Sequence, residues 1–332
     1  MRVAFFSTKS YDKESFNHHL PDFNHELTYF EPKLDINTVA LAKGFDAVCS
    51  FVNDHLEEKI LNKLSEMNVK NIALRCAGYN QVDLKKAAEL GFKICRVPAY
   101  SPEAVAEHAL ALLMSLSRKT HKAYNRVREN NYSIDGLTGF NIHGKTAGVI
   151  GTGAIGRAFC KIMNGMGCKV LAYDIYESDE LKDLGVTYLP LNELLAESDI
   201  ISLHCPLTSD TFHLVNKDSL AQMKDGVTVI NTSRGALIET KAVIKALKNR
   251  KVGNLGIDVY EQEEDLFFQN RSEEILQDEQ ISRLMGFPNV LITGHQAFLT
   301  NEALAHIAST TLENLDELEA GKELTNEVLW QE

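Results

Sequence analysis

The sequence contains no apolar run near the roughly 18 to 20 residues that a bilayer-spanning helix requires, so a helical membrane span is excluded. Its first residues, Met1-Arg2-Val3-Ala4-Phe5-Phe6-Ser7-Thr8-Lys9, turn polar again too soon for a secretory leader, whose apolar region runs ~7 to 15 residues. They read as a first β-strand, and the chain is expected in the cytoplasm. Lys and Arg nowhere cluster densely, and at a net charge of −12 the surface repels nucleic acid on average. The six cysteines (Cys49, Cys76, Cys95, Cys160, Cys168 and Cys205) include no CxxC pair, and each stands in or beside an apolar segment. That is the pattern of reduced core thiols, not of a disulfide framework or a zinc ribbon. The eleven histidines include no HxxxH or HExxH pair, so no metal site is expected. Ordinary fractions of apolar (44%) and charged (24%) residues exclude disorder, collagen and coiled coil as global descriptions.

What is present is an alternation. Short β-branched and aromatic runs alternate with longer amphipathic stretches, the pattern of βα units on a parallel sheet. In the first hundred residues the predicted strands are Val3–Ser7, Leu27–Phe30, Ala47–Phe51, Asn71–Arg75 and Lys93–Arg96, with helical stretches at Leu56–Met67 and Leu84–Leu90. Ser101-Pro102-Glu103 carries helix-start chemistry and opens a helical pattern through about Asn130. A second series predicts strands at Thr146–Ile150, Lys169–Tyr173, Ile200–Leu203, Val227–Asn231, Asn254–Val259 and Val290–Thr293. The acidic segment Tyr260–Phe287 reads as a solvated loop. A final helix follows Thr300 and stops at Gly321. With 332 residues and about 150 per domain, two domains are expected. The fold class is α/β: two lobes with parallel sheets, hinged about a cleft, the last helix returning to the first lobe.

Val149-Ile150-Gly151-Thr152-Gly153-Ala154-Ile155-Gly156 follows a predicted strand and opens a helix. In such a turn Gly151 permits the tight bend, Gly153 admits a pyrophosphate to the backbone, and Gly156 lets helix and strand pack closely. The helix N-terminus offers free N–H groups to the phosphates. A second strand, Lys169–Tyr173, ends in Asp174 about 20 residues on, placed to accept ribose hydroxyls and repel a 2′-phosphate. These features predict NAD rather than NADP.

Arg234 and His295 each follow an apolar strand, where open α/β sheets place ligands. A guanidinium can clamp a carboxylate through two parallel bonds, and an imidazole suits proton transfer near neutral pH. Glu261, Glu263 and Glu264 crowd one loop, and the residues alone do not choose which of them orients His295. Arg, acid and His together suit hydride transfer to a 2-oxo acid.

The Gly-rich turn with Asp174, then Asn231-Thr232-Ser233-Arg234-Gly235, Gly256-Ile257-Asp258-Val259-Tyr260-Glu261-Gln262-Glu263 and Gly294-His295-Gln296-Ala297-Phe298, resemble the D-2-hydroxyacid dehydrogenase family in order along the whole chain. Ile72–Asn80 and Val97–His108 also look like the lactate-forming subgroup, as does Gly294, where many members carry Pro. The resemblance implies Rossmann- or flavodoxin-like lobes, with 1–100 plus 299–332 as substrate domain and 101–298 as NAD-binding domain. It implies that Glu263 is the partner of His295 and that Arg234 binds the substrate. It implies cofactor contacts at Ala154, Ile155, Asp174, Cys205, Pro206, Thr211, Thr232, Ser233 and Asp258, the last reading the nicotinamide carboxamide. Thr211 departs from the Asn common in relatives. Ala77, Gly78, Tyr100 and Phe298 would line the substrate pocket. The implied activity is reversible NADH-dependent reduction of pyruvate to D-lactate by a homo-oligomer. Its alternatives are a bulkier 2-oxo acid or an NAD(H)-sensing scaffold.

Overall fold

The computed structural model describes residues 1–330. The chain divides into two compact units, one formed by Met1–Ser101 with the segment from Leu299 onward, the other by Pro102–Phe298.

The first unit holds five parallel strands, β1 (Arg2–Phe5), β2 (Glu26–Tyr29), β3 (Ala47–Ser50), β4 (Asn71–Leu74) and β5 (Lys93–Arg96), in the order β2-β1-β3-β4-β5. Every residue of β3 is buried, as expected of a parallel strand covered on both faces. The helix Asn301–Ala320 belongs to this unit. The Thr300 side chain accepts from the Ala303 amide, and Gly321 ends the helix at φ 60°, as its sequence predicts. Ser15 fastens the helix through the Leu304 carbonyl at 2.9 Å, and Asn314 bonds the Arg96 carbonyl at 2.9 Å.

A buried ion pair lies under β1 and β4. Arg75, 1% exposed, sets Nε 3.3 Å from Asp12 Oδ1 and donates through Nη2 to the Ser7 carbonyl at 2.9 Å. Its guanidinium lies 4.4 Å from the Phe5 ring and 4.7 Å from that of Phe51. Asp12 also accepts from the Lys9 amide at the start of its helix. Removing one partner strands the other charge in the core, so Arg75→Ala is expected to cost about 3–5 kcal/mol in urea unfolding. Arg75→Met with Asp12→Asn should recover most of that loss. A cost below about 1 kcal/mol for the single variant would show that water compensates Asp12.

The second unit holds β6 (Thr146–Ile150), β7 (Lys169–Tyr173), β8 (Thr187–Tyr188), β9 (Ile200–Leu203), β10 (Val227–Asn231), β11 (Val252–Ile257) and β12 (Val290–Ile292), all parallel, in the order β12-β11-β10-β9-β6-β7-β8. The order reverses beside β6, the switch point at which such sheets bind ligands. Register fixes what meets there. Ile150 pairs with Leu203, Leu203 with Asn231, Asn231 with Ile257, and Ile257 with Ile292. The residues that follow, from Gly151 across to Thr293, therefore leave the sheet at one level. Leu112, Leu116, Phe159 and Met163 belong to one buried core of this unit, and Leu194, Leu220, Val243 and Leu284 to another. All six cysteines are buried and none forms a disulfide among the described residues, and burial pushes the Cys160 thiol up to about 12.

Three details differ from the expectation. The helix opened by Pro102 ends at Arg118 and a second runs Thr120–Arg128, because Lys119 turns left-handed at φ 53°. The Ser117 carbonyl there accepts from the Phe140 amide, and Lys119 Nζ bonds the Gly136 carbonyl at 2.8 Å. Strand β8, two residues long, escapes any periodicity. The acidic segment Tyr260–Phe287 is not all loop: Asp278 caps a helix at Glu279–Met285, and Phe267, Ile281 and Leu284 are buried.

Candidate active site

His295 leaves the turn after β12 with φ 56°, a left-handed backbone that His adopts more readily than most residues. Its amide donates to the Asp258 carbonyl at 2.7 Å, which holds the turn. Its Nδ1 meets Glu263 Oε1 at 2.7 Å, and the Phe268 ring lies 5.5 Å away. The other Glu263 oxygen accepts from the Tyr260 amide at 2.8 Å, so the carboxylate is oriented before it meets the ring. Geometry thus brings Glu263, of the three crowded acids, to His295. Glu261 instead meets His213 at 2.7 Å and caps Thr240. With Nδ1 facing Glu263, Nε2 is the ring atom left for proton exchange.

Arg234 follows β10 on a backbone built by Asn231, which is fully buried. Asn231 donates to the Arg234 carbonyl at 2.8 Å and accepts from the Ser233 amide at 3.0 Å. The Arg234 guanidinium bonds the Ser233 carbonyl at 2.7 Å, and among the described residues no carboxylate pairs with it. Asp258 follows β11, and its amide donates to the Asn231 carbonyl at 2.9 Å. It is 0% exposed, and Thr293 Oγ1 (2.5 Å) and the amides of Gln296 (2.9 Å) and Ala297 (2.8 Å) donate to its oxygens, with His108 Nε2 3.4 Å away. Burial alone would raise its carboxyl, but these donors outweigh burial and hold it below the ordinary carboxylate value. Its protein partners are thus His108 and groups of the loop that presents His295.

The Gly-rich turn lies at the β6 switch point. Gly151 takes φ 93°, which L-residues rarely adopt, and its amide bonds the Tyr173 carbonyl at 2.9 Å. A Cβ on Gly156 would strike the Gly151 carbonyl oxygen, whereas one on Gly153 would meet nothing within 4 Å. The turn is closed behind and open in front. Asp174 ends β7 and accepts from the Thr152 amide at 2.5 Å, its hydroxyl at 3.1 Å and the Tyr176 amide at 3.0 Å. A cavity of about 900 Å³ opens here, lined by Gly151, Gly153, Asp174, Cys205, Pro206 and Thr211 among others.

A model described as the D-isomer specific 2-hydroxyacid dehydrogenase NAD-binding domain matches residues 110–297. The chain is 53% identical to the D-lactate dehydrogenase of Escherichia coli (strain K12), covering 99% of this chain and 100% of that protein. The chain belongs to the D-isomer specific 2-hydroxyacid dehydrogenase family. Among solved structures, the apo form of the Escherichia coli D-lactate dehydrogenase superposes with a TM-score of 0.91 at 51% identity, over 99% of this chain and 100% of that one. A structure described as the pyruvate reductase of Chlamydomonas reinhardtii gives 0.94 at 44% identity, over 98% of each. As a member of the family, the protein is an NAD-dependent oxidoreductase.

The residues present fit that cofactor. The cavity joins an open glycine turn to an acidic rim, and Thr232 Oγ1 is buried with no hydrogen-bond partner among the described residues. Ser233 Oγ bonds the Cys205 carbonyl at 2.7 Å, tying the β10 exit to the wall. Ala154 and Ile155 form the first turn of the helix Ala154–Gly165. Sequence reading missed Ile175, Tyr176, His204, Thr208, Phe212 and His213, which also line the cavity. The signal was available for two, since Ile175-Tyr176 directly follow the acid. Replacing Asp174 with Ser is expected to reduce the preference for NADH over NADPH about a hundredfold, because a like-charge juxtaposition costs several kcal/mol. The ratio of kcat/KM for the two cofactors measures this; an unchanged ratio would remove Asp174 from that task.

The remaining expected residues fall in other places. Ala77 and Gly78 follow β4 in the first unit, where Arg96 Nη1 donates to the Ala77 carbonyl at 2.8 Å and Cys76 Sγ bonds the Gly78 carbonyl. Tyr100 is half-buried in the same unit, and Phe298 is buried at the end of the second.

Proposed function

We propose that this family member catalyses the reversible reduction of pyruvate to D-lactate. The likeness to a D-lactate dehydrogenase at 53% identity across essentially both whole chains carries the reading, and the 2.7 Å His295–Glu263 pair supplies its chemistry. Bound NADH supplies the hydride for C2 of the substrate. Arg234 binds the substrate carboxylate through its fork of N–H donors and polarises the carbonyl. His295 gives its Nε2 proton to the oxygen as C2 is reduced, and Glu263 on Nδ1 fixes the ring and stabilises the imidazolium. In the reverse direction neutral His295 accepts that proton. The Gly151–Gly156 turn holds the cofactor phosphates and Asp174 its ribose. Ala77, Gly78, Tyr100 and Phe298 are the residues proposed to contact the substrate, as the family resemblance implies.

We further propose a cytoplasmic homo-oligomer. Among the described residues no helix is long and apolar enough to cross a membrane, and Tyr124, Tyr132 and Ile134 stand 62%, 70% and 80% exposed within one short segment. The deciding experiment is NADH oxidation with pyruvate, phenylpyruvate, 2-oxoisocaproate and hydroxypyruvate, followed by chiral analysis of the product. Fast conversion of pyruvate to D-lactate is expected. Preference for a bulkier acid would replace the substrate, and NADH binding without turnover would replace catalysis with sensing.

A further inference from the structure

Two His–carboxylate pairs stand on one loop of the second unit. Glu263 serves His295. Two residues earlier, Glu261 meets His213, Nε2 to Oε1 at 2.7 Å, with both side chains largely buried at 27% and 20% exposure. His213 belongs to the wall of the 900 Å³ cavity, in the segment after β9 that carries Pro206, Thr208 and Thr211. That segment has little regular structure of its own; Thr211 Oγ1 closes it on the Pro206 carbonyl at 2.7 Å. Beyond the Ser233–Cys205 bond at its start, it is attached to the rest of the unit through His213 and its neighbours. The His213 amide donates to the Ala236 carbonyl, and the Val215 amide to the Leu237 carbonyl, both at 2.9 Å. Ala236 and Leu237 form the turn that directly follows Arg234.

One residue therefore joins the cavity wall to two loops: by its backbone to the Arg234 loop, by its ring to the Glu263 loop. It does so at φ 52°, in the left-handed region, a conformation that costs of order 1 kcal/mol or more for a non-Gly residue and persists where the surroundings hold it. Phe212 stacks on its ring at 3.9 Å between centroids. Glu261 is held from the other side as well, because its Oε2 accepts from the Thr240 amide at 3.1 Å in the first turn of the helix Thr240–Lys248. Burial would raise the Glu261 carboxyl, but Thr240 and His213 outweigh it and hold it below the ordinary carboxylate value.

We propose that His213 and Glu261 form a positioning pair that couples cofactor binding to the loops carrying Arg234 and Glu263. The pair touches neither the proton in flight nor the substrate. It fixes the cavity wall against the two catalytic loops, so that seating the cofactor also sets the carboxylate clamp. This rests on the reading of the cavity as the cofactor site.

The test uses the intact enzyme and two readouts. NADH affinity is titrated by its own fluorescence, which needs no turnover and so remains valid if pyruvate proves the wrong substrate. His213→Ala should weaken NADH binding about tenfold and raise KM for the 2-oxo acid by a similar factor. Turnover at saturation should stay within about threefold, because His295 and Glu263 keep their bond. His213→Gln, which retains a donor at the position of Nε2, should restore most of the affinity. Glu261→Gln should resemble His213→Ala while still accepting from Thr240, and it carries the test if the Ala variant does not fold. The double variant should be no worse than either single, as required of two groups acting as one. NADH affinity within twofold of the parent in folded Glu261→Gln, or additive losses in the double variant, would overturn the proposal.

Discussion

His295→Asn is expected to reduce turnover by about 10³-fold while NADH affinity changes less than twofold. General acid–base catalysis by a positioned side chain contributes roughly 10²- to 10⁴-fold, and the oriented Glu263 places this site towards the upper part of that range. The choice of Asn matters. His295 stands at φ 56°, and Asn is among the few residues that tolerate this region, whereas Ala would add backbone strain to the loss of chemistry. The amide of residue 295 would still donate to the Asp258 carbonyl, and the Asp258 carboxylate would still hold the amides of Gln296 and Ala297. The turn therefore survives and the proton donor alone is removed. Stopped-flow turnover with pyruvate together with a fluorescence titration of NADH separates the two effects. Turnover within tenfold of the parent would remove His295 from the proton transfer. An equal loss in NADH affinity would mean that the turn itself had collapsed.

Much of the fold was legible because both sheets are parallel. Strands covered on two faces must be apolar throughout, and Val227–Asn231 or Ala47–Ser50 can be read as strands from composition alone. The end of a long helix was not legible. Lys119 is an ordinary helix former, and the break comes from Phe140, which takes the Ser117 carbonyl from twenty-odd residues away along the chain. The helix Glu279–Met285 was hidden for a different reason: the acids around it are solvated, and Ile281 and Leu284 are too few to impose a period. Within the site, the glycine turn and Asp174 carry local signals because a tight bend and a strand end each demand particular residue types. The partner of His295 carries none. Glu261, Glu263 and Glu264 differ only in the direction an irregular loop gives each side chain, and that direction is set by the Tyr260 amide and by Thr240.

Arg234→Gln is expected to lower kcat/KM for the 2-oxo acid roughly a thousandfold, about 4 kcal/mol, without loss of fold stability. Binding and stability separate here because the Arg234 backbone is built by Asn231, whose amide group bonds on both sides of the turn. The side chain contributes one bond, to the adjacent Ser233 carbonyl, so its removal should change unfolding by no more than about 0.5 kcal/mol. For the substrate the loss is of another order. A carboxylate leaving water needs charged donors in return, and the guanidinium fork provides two in parallel, with no carboxylate among the described residues competing for them. Arg234→Lys probes the fork separately from the charge: an ammonium keeps the sign but meets one oxygen at a time, and a loss of about a hundredfold is expected. KM and kcat should both worsen, since the same group binds the carboxylate and polarises the carbonyl, while NADH affinity should hold within about threefold. If Arg234→Lys matched the parent, charge alone would account for binding and the bidentate geometry would be dispensable. If Arg234→Gln left KM unchanged, the carboxylate would have to be held elsewhere, and the first unit's Ala77–Gly78 backbone would be the next place to test.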